Sequence, residues 1–156
     1  MKKISLTQGQ FAIVDNADFE DISQFKWHAM WKPSTRSYYA VRSFRLPNGK
    51  QTSELMHRRI LGLERGDGRQ GDHINHDTLD NQRVNIRIVT HQENQHNNLG
   101  KGYSWNKQHN KYMARIKVNG VLRYLGYYDT PREARAAYLE AKAVLHPTSP
   151  TLGLRR

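Results

Sequence analysis

Short apolar runs separated by polar turns fill the first third of the chain. Runs rich in β-branched and aromatic residues cover positions 3–6, 11–14, 26–32 and 38–45, and Pro47-Asn48-Gly49 closes the last of them with a turn. Runs of this length and composition predict the strands of a small antiparallel sheet.

Two segments among these runs carry apolar residues at a helical spacing. After Asp18, which can cap a helix, Phe19, Ile22 and Phe25 follow three residues apart, and this predicts one or two helical turns. A second helix is predicted over positions 53–61, where the apolar residues form a stripe and Gly62 provides a natural end.

The middle of the chain, positions 69–98, is polar and rich in asparagine and histidine. Its pattern fits a short strand at 70–74, a loop, a strand at 86–90 and a helix that begins at His91. The stretch is too hydrophilic to fold by burial alone, so we expect a bound metal or a clamping side chain to help hold it.

The last third of the chain predicts a three-stranded sheet packed on one helix. The strands cover 102–107, 111–118 and 122–128, and Asn119-Gly120 is a favoured two-residue hairpin turn. Thr130-Pro131 followed by Glu133 then predicts a capped helix start.

Composition identifies the kind of partner. The 25 Lys and Arg against 14 Asp and Glu give a formal charge of +11, which favours a polyanion. The charge is uneven, since residues 1–98 hold 14 basic and 11 acidic side chains whereas residues 99–156 hold 11 and 3. This asymmetry favours two small domains over one.

Cysteine is absent, so a metal must take oxygen or imidazole ligands, which favours magnesium or manganese over zinc. The sequence lacks an apolar run long enough to span a bilayer and a signal-peptide core. We therefore expect a soluble, cytoplasmic protein with no membrane partner.

The chemistry is concentrated at Asp72-His73, Asn85 and Asn94. Cleavage of a phosphodiester needs a general base and a Lewis acid, for which His73 and a hard oxygen ligand, Asp72, are suited. Asn94 offers a second oxygen donor, while Asn85 is better suited to hold the loop and His73 in register. Successive side chains on a strand point apart, so Asp72 and His73 share a site only if the strand ends or bends there.

This segment, with Leu79-Asp80-Asn81 and Glu93-Asn94, closely resembles the HNH homing endonucleases of the subgroup whose third motif residue is asparagine. The resemblance implies the ββα-metal fold, with His73 as general base, Asp72 and Asn94 as metal ligands and Asn85 as the central orienting asparagine. His91 is an alternative third ligand. Arg87 contacts the transition-state phosphate or a DNA phosphate, or is simply a surface arginine.

The C-terminal module resembles the Apetala-type (ethylene-response-factor) DNA-binding domain. The resemblance rests on Gly102-Tyr103-Ser104-Trp105, the strand at 111–116, Tyr124-Leu125-Gly126-Tyr127-Tyr128 and the helix start at 133–138. In that family the sheet enters the major groove, and alternation independently sets the charged side chains of the second strand opposite its apolar ones. The residues predicted to meet DNA are Arg115, Lys117, Tyr124, Arg123, Trp105 and Lys107.

The expected fold is α+β. A ββα-metal nuclease unit at 67–98 follows a small β-rich leader at 1–66 and precedes the DNA-binding module at 99–146 and a loosely held tail at 147–156. The leader resembles those of phage and mobile-intron nucleases. Its His57 and Arg58 either touch the DNA backbone or lie on a helix that buttresses the nuclease unit.

These patterns predict a Mg²⁺-dependent DNA endonuclease, with Mn²⁺ as the other suitable ion, that nicks double-stranded DNA in gene or intron homing. The expected state is a monomer, or a dimer on DNA. One rival is a DNA-binding regulator in which the nuclease unit is an inactive scaffold. The other is an RNA-binding accessory protein, which would prefer structured RNA to duplex DNA.

Overall fold

A computed structural model describes residues 1–97, 100–146 and 148–149. The chain divides into two compact units, Met1–Thr90 and His91–Arg156, and both contain small antiparallel sheets and helices. The predicted mixed α+β class is confirmed. Most of the tail predicted at 147–156 lies outside the described residues. Within the part of the chain that is described, the helices are too short or too polar to cross a bilayer.

The first unit contains two sheets from the leader and one antiparallel pair from the middle of the chain. Its elements are β1 Lys2–Ser5, β2 Phe11–Val14, α1 Asn16–Ser23, β3 His28–Lys32, β4 Ser37–Arg45, β5 Gln51–Leu55, α2 Met56–Ile60, β6 Gln70–His73 and β7 Ile86–Val89. β1 pairs with β2, β4 lies between β3 and β5, and β6 pairs with β7. The leader therefore forms two sheets where the sequence predicts one.

The helix predicted over 53–61 is partly wrong. Its first residues belong to β5, and only Met56–Ile60 is helical. β5 pairs with β4 so that Glu54 lies opposite Arg42, and their side chains form an ion pair at 2.6 Å. Positions 53–55 contribute only Leu55 to the predicted apolar stripe. Backbone pairing with β4 and the cross-strand ion pair therefore favour a strand at these positions.

The start of α1 also differs from the prediction. The helix begins at Asn16 after Asp15, whereas the sequence suggests Asp18 as the cap. Asp18 instead forms an ion pair with Arg83 at 2.6 Å, and Asp15 accepts a hydrogen bond from the Arg83 backbone N–H at 2.8 Å. Both carboxylates thus bind a segment far along the chain.

One hydrophobic core joins the leader to the polar middle segment. Its buried residues are Ile4, Ala12, Val14, Ile22, Trp27, Ala40, Met56, Ile60 and Ile86. Ile86 belongs to β7, so the polar β6–β7 pair gains part of its stability from apolar burial against the leader. The polar middle segment is therefore held against the leader partly by burial of Ile86 in the shared core.

The second unit contains the predicted sheet and its helix. Its elements are α3 His91–His96, β8 Tyr103–Asn106, β9 Lys111–Val118, β10 Val121–Tyr128 and α4 Pro131–Leu145. The antiparallel strand order is β10-β9-β8. The β9–β10 turn has positive φ at Asn119 and Gly120, as a two-residue hairpin of this kind requires.

The predicted start of α4 is confirmed in detail. Thr130 Oγ1 accepts a hydrogen bond from the Glu133 N–H at 3.2 Å, and the Thr130 N–H donates to the Glu133 carboxylate at 3.1 Å. This reciprocal capping box orients α4 against the sheet, where Ala134 and Tyr138 are buried together with Ala114 and Ile116 of β9.

Candidate active site

His73, the predicted general base, is the last residue of β6 and is 5% exposed. It lies opposite Ile86 in the β6–β7 register. Its ring centroid is 4.7 Å from that of His57 on α2 and 6.2 Å from that of Tyr39 on β4. The imidazole is therefore enclosed by side chains from two elements of the leader.

Asp72 precedes His73 on the same strand and lies opposite Arg87 of β7. Arg87 Nε and Nη2 donate to Asp72 Oδ2 at 3.0 and 2.9 Å. The carboxylate is 8% exposed, so this charge-assisted pair lies largely out of solvent. The cross-strand partners place Asp72 and His73 on opposite faces of the β6–β7 pair, although the strand ends at His73.

Asn85, 5% exposed, binds backbone groups of the 74–85 loop that connects β6 to β7. Its Oδ1 accepts from the Asn75 N–H at 3.0 Å and its Nδ2 donates to the Asp80 carbonyl at 2.7 Å. The loop start is also fixed by the Ile74 N–H, which donates to the Asn85 carbonyl at 2.8 Å. Asn85 therefore holds the shape of the loop that follows His73.

Asn81, absent from the predicted site residues, contacts the His73 ring directly. Its Oδ1 lies 3.2 Å from His73 Nε2, and its Nδ2 donates to the Leu79 carbonyl at 3.1 Å. Asn81 is only 1% exposed. Asn81 belongs to the segment that carries the HNH resemblance but has no role predicted from it, and only the folded loop brings it back to His73.

The leader fixes the 74–85 loop through backbone and side-chain hydrogen bonds. The Ile13 N–H donates to the Leu79 carbonyl at 2.9 Å, and the Asn81 N–H donates to the Ile13 carbonyl at 2.8 Å. Gln82 Nε2 also donates to Asp15 at 3.1 Å. The 74–85 loop is thus anchored on β2 and on the residue that precedes α1.

His57 and Arg58 belong to α2 and serve different structural roles. His57 is 5% exposed, and its ring packs against His73 and the backbone of Gly71. Arg58 donates to the backbone carbonyls of Arg69 at 3.1 Å and Glu64 at 2.9 Å. Of the two roles open for these residues, the buried position of His57 supports a buttress, because its side chain is turned away from solvent.

Burial determines the charge of both histidines. Burial lowers the pKa of the His73 imidazole below its ordinary value, while the hydrogen bond to Asn81 and the nearby Asp72 carboxylate act in the opposite direction. Burial also lowers the pKa of His57, to about 3, and the neighbouring His73 adds to that effect. Both rings are therefore mainly neutral near pH 7, and a neutral imidazole can accept a proton.

The described residues offer few ligands for a divalent metal. Among the residues that the structure describes, no three or more His, Asp or Glu side chains are grouped so as to hold a metal. Magnesium commonly keeps several waters and uses one or two protein oxygens, so one carboxylate such as Asp72 with an amide oxygen fits its chemistry. The two other predicted ligand positions, Asn94 and the alternative His91, lie on α3 in the second unit.

One face of the second unit's sheet is exposed, basic and aromatic. We call it the contact face; its members Arg115, Lys117, Leu122, Tyr124 and Tyr127 project from β9 and β10 on the side away from α4. Tyr124 lies opposite Arg115 and is 56% exposed. Leu122 and Tyr127 are absent from the predicted DNA contacts. Strand alternation would have indicated Leu122, whereas Tyr127 lies on this face only because the pairing register shifts between Tyr124 and Gly126.

The remaining predicted DNA contacts of this unit lie elsewhere. Trp105 lies opposite Tyr112, with ring centroids 4.8 Å apart, on the other side of the sheet from Arg115. Arg123 lies opposite Ile116, whose side chain is buried on the α4 side, and Lys107 is exposed in the turn after β8. These three residues therefore flank the contact face or point away from it.

Comparison with known protein families agrees with this geometry. Residues 54–96 match the family model described as HNH endonuclease. The matched range includes Asp72, His73, Asn81, Asn85 and Asn94, and it supports an HNH nuclease, hence a phosphodiester hydrolase that acts on DNA. No curated protein and no solved structure matches the chain.

Proposed function

We propose that this chain is a metal-dependent, homing-type DNA endonuclease that nicks duplex DNA at His73 and binds its target through the contact face of the second unit. The observation that carries the proposal is a buried, neutral histidine at the end of β6, inside a segment that matches an HNH endonuclease. The strongly basic composition supports a nucleic-acid substrate.

His73 acts as the general base in this proposal. Its lowered pKa keeps the imidazole ready to accept a proton from water near neutral pH. Asn85 holds the loop that follows the strand end, so the ring and the loop keep a fixed relation. Tyr39 and His57 limit the rotation of the His73 ring because they pack against it.

Asp72 and Asn94 are the proposed ligands of a divalent ion, magnesium or manganese. When bound, such an ion supplies a Lewis acid for the scissile phosphate and its leaving oxygen. In this structure the Arg87 guanidinium forms an ion pair with the Asp72 carboxylate. If a metal ion replaced Arg87 as the partner of Asp72, the guanidinium would be suited to bind a phosphate oxygen.

The contact face is suited to bind DNA through both phosphates and base edges. Arg115 and Lys117 offer cations to phosphates, and guanidinium can also bind guanine edges. Tyr124 and Tyr127, with ring centroids 5.3 Å apart, present aromatic surface beside them. Trp105, Lys107 and Arg123 are proposed to add contacts at the edges.

The test is cleavage of a supercoiled plasmid library in magnesium and in chelator. Wild type and His28→Ala, a matched histidine substitution on β3, are expected to give nicked circles in magnesium only. His73→Ala is expected to reduce the rate roughly 10²- to 10⁴-fold, as for loss of a general base, with DNA affinity unchanged. Equal cleavage by His73→Ala and wild type would refute the role of His73.

A DNA-binding regulator is the second candidate, and one observation favours it. Asp72 is already paired with Arg87, which offers a cation where a nuclease needs its metal. The same assay separates the two functions, because tight DNA binding by wild type without cleavage in magnesium or manganese would establish the regulator. Preferential binding to structured RNA would instead indicate an RNA-binding accessory protein.

A further inference from the structure

The orientation of the Asn81 side chain is fixed by its two partners. A backbone carbonyl only accepts hydrogen bonds, so the atom that faces the Leu79 carbonyl at 3.1 Å must be the amide nitrogen. The other end of the amide, Oδ1, therefore faces His73 Nε2 at 3.2 Å. At 1% exposure, the amide has little access to water as a substitute partner.

This orientation determines where the proton lies on His73. An amide oxygen accepts and does not donate, so Nε2 must carry the hydrogen for the bond to form. A neutral imidazole has one N–H, and the nitrogen that binds an acceptor is the protonated one. Nδ1 therefore carries the lone pair in the neutral ring.

We propose that Asn81 is a positioning residue that holds His73 in the Nε2–H tautomer and thereby makes Nδ1 the atom that accepts the proton from the attacking water. The role in cleavage rests on the proposed nuclease function, whereas the tautomer is a property of the protein without DNA. As the water oxygen bonds to phosphorus, its proton passes to Nδ1 and the P–O ester bond breaks. The leaving oxygen then takes a proton from solvent, and the imidazolium keeps its Nε2–H bond to Asn81.

The leader holds Asn81 in this position. The Asn81 N–H donates to the Ile13 carbonyl at 2.8 Å, and the adjacent Asp80 forms a bridge with Ile13. The His57 ring packs at 73° to the His73 ring, which opposes a ring flip that would exchange the two nitrogens. Strand β2 and helix α2 thus gain a function in proton transfer that acts through His73.

Asn85 is already engaged by other partners. Its oxygen accepts from the Asn75 N–H and its nitrogen donates to the Asp80 carbonyl. These bonds shape the loop in which Asn81 lies. The two asparagines therefore have different roles: Asn85 fixes the conformation of the loop, and Asn81 accepts the hydrogen bond that keeps the proton on His73 Nε2.

The test is the ¹⁵N spectrum of the histidine rings in the full chain, with His73 assigned by comparison with His73→Ala. In wild type we expect Nε2 to be the protonated nitrogen, with its proton slow to exchange with water. Asn81→Leu is expected to lose that slow exchange, whereas Asn81→Asp, which keeps an oxygen towards Nε2, is expected to retain it. Asn48→Ala removes a turn asparagine far along the chain and serves as the control.

Kinetics provide the second measurement. Asn81→Leu is expected to lower kcat roughly 10²- to 10⁴-fold without weakening DNA binding, and Asn81→Asp to recover part of that loss. A wild-type spectrum with the proton on Nδ1 would overturn the inference, whatever the cleavage assay shows. The Nε2–H form without cleavage by any variant would support the tautomer and overturn the nuclease function.

Discussion

Polar side chains are buried around the candidate active site of the first unit and exposed on the contact face of the second. Asn81 and Asn85 are 1% and 5% exposed, whereas Tyr124 is 56% exposed and Arg115 and Lys117 are exposed as well. The buried amides bind backbone groups and His73, while the exposed side chains project from a regular sheet. The candidate active site of the first unit is thus lined by buried polar side chains, whereas the contact face of the second unit presents exposed ones.

On the proposed function, the difference follows from what each chemistry demands. Proton transfer requires one nitrogen atom at one position, and buried hydrogen bonds fix it because their geometry is directional and water does not compete. Binding to a polyanion requires reach and positive charge, which exposed arginine, lysine and tyrosine provide on a rigid support. Substitutions in the first unit should therefore alter kcat, and those on the contact face should alter Kd.

The largest expected effect that tests this division is on DNA affinity. Replacing Arg115, Lys117 and Tyr124 together by alanine is expected to weaken binding on the order of 10²- to 10³-fold, because two cations and one stacking surface are lost. The slope of the logarithm of the binding constant against the logarithm of the salt concentration should become shallower by about 2, because two phosphate-binding cations are lost. Fluorescence anisotropy at several salt concentrations measures both, and kcat at saturating DNA should be unchanged.

The control for charge is Arg132→Ala with Lys101→Ala, which removes two cations of the same unit from positions outside the sheet. This variant should bind nearly as wild type if the contact face carries recognition. Equal weakening by the control and the triple variant would instead mean that overall charge decides affinity. A fall in kcat without a change in Kd would break the comparison between the units.

The next largest expected effect is a fall in kcat on substitution of Gly71, which lies against the His57 ring. A Cβ added to Gly71 would overlap the His57 ring, so Gly71→Ala must move His57 away from its place beside His73. We expect kcat to fall about 10²-fold, as for a small misplacement of a reacting group, with Kd unchanged. Gly68→Ala is the matched control, since its added Cβ meets open space.

The sheet of the second unit could be predicted because its signals are local. Strand alternation in β9 placed Ala114 and Ile116 inward and Arg115 and Lys117 outward, and burial confirms all four. The capping residues of α4 lie within four positions of one another, so their contact needs no tertiary information. Lys142 is also buried on α4, and it is not among the residues singled out from the sequence.

The active site was harder to predict because its contacts are distant along the chain. The Asp72-His73, Asn85 and Asn94 motif predicts that His73 is a site residue. The contact of Asn81 with His73, however, depends on a loop that folds back and is hydrogen-bonded to Ile13. The Asp72–Arg87 pair depends on the β6–β7 register, which the sequence does not set. β5 was likewise missed because its pairing with β4, rather than its own composition, makes it a strand.

A third prediction concerns stability and again uses a glycine beside a ring, now in the second unit. Gly102 has φ +77° and an added Cβ would overlap the Tyr138 ring, whereas Gly120 has φ +81° and open space. Both alanine variants therefore share backbone strain, but only Gly102→Ala adds a steric clash. We expect Gly102→Ala to lower the free energy of unfolding by roughly 1–3 kcal/mol more than Gly120→Ala.

Denaturant unfolding measures this difference, and cleavage at saturating DNA tests the comparison. A glycine that only supports the sheet should leave kcat unchanged at temperatures where the variant is folded, in contrast to Gly71→Ala. Equal destabilisation by the two variants would mean that backbone strain alone decides the cost and that Tyr138 moves aside freely.

The smallest effect is the pH dependence that His57 gives to the first unit. Its pKa is lowered by burial from 6.5 to about 3 in the folded protein, so the unfolded chain binds the extra proton first as the pH falls. The contribution of neutral His57 to the free energy of unfolding is therefore fully present above about pH 6.5 and is lost progressively as the pH falls towards about 3. Between about pH 7 and pH 5, above the range of most carboxylates, the loss should be on the order of 1–2 kcal/mol.

His57→Phe tests this dependence because it keeps an aromatic ring against His73 and removes the titrating nitrogens. Thermal or denaturant unfolding between these two pH values should show a shallower loss of stability for the variant than for wild type. Burial also lowers the pKa values of His73 in the first unit and of His96 and His146 in the second, so part of the loss must remain in the variant. Identical pH dependence in the two proteins would mean that His57 is hydrated enough to take up a proton in the folded state, and the polar interior would then be less dry than its 5% exposure implies.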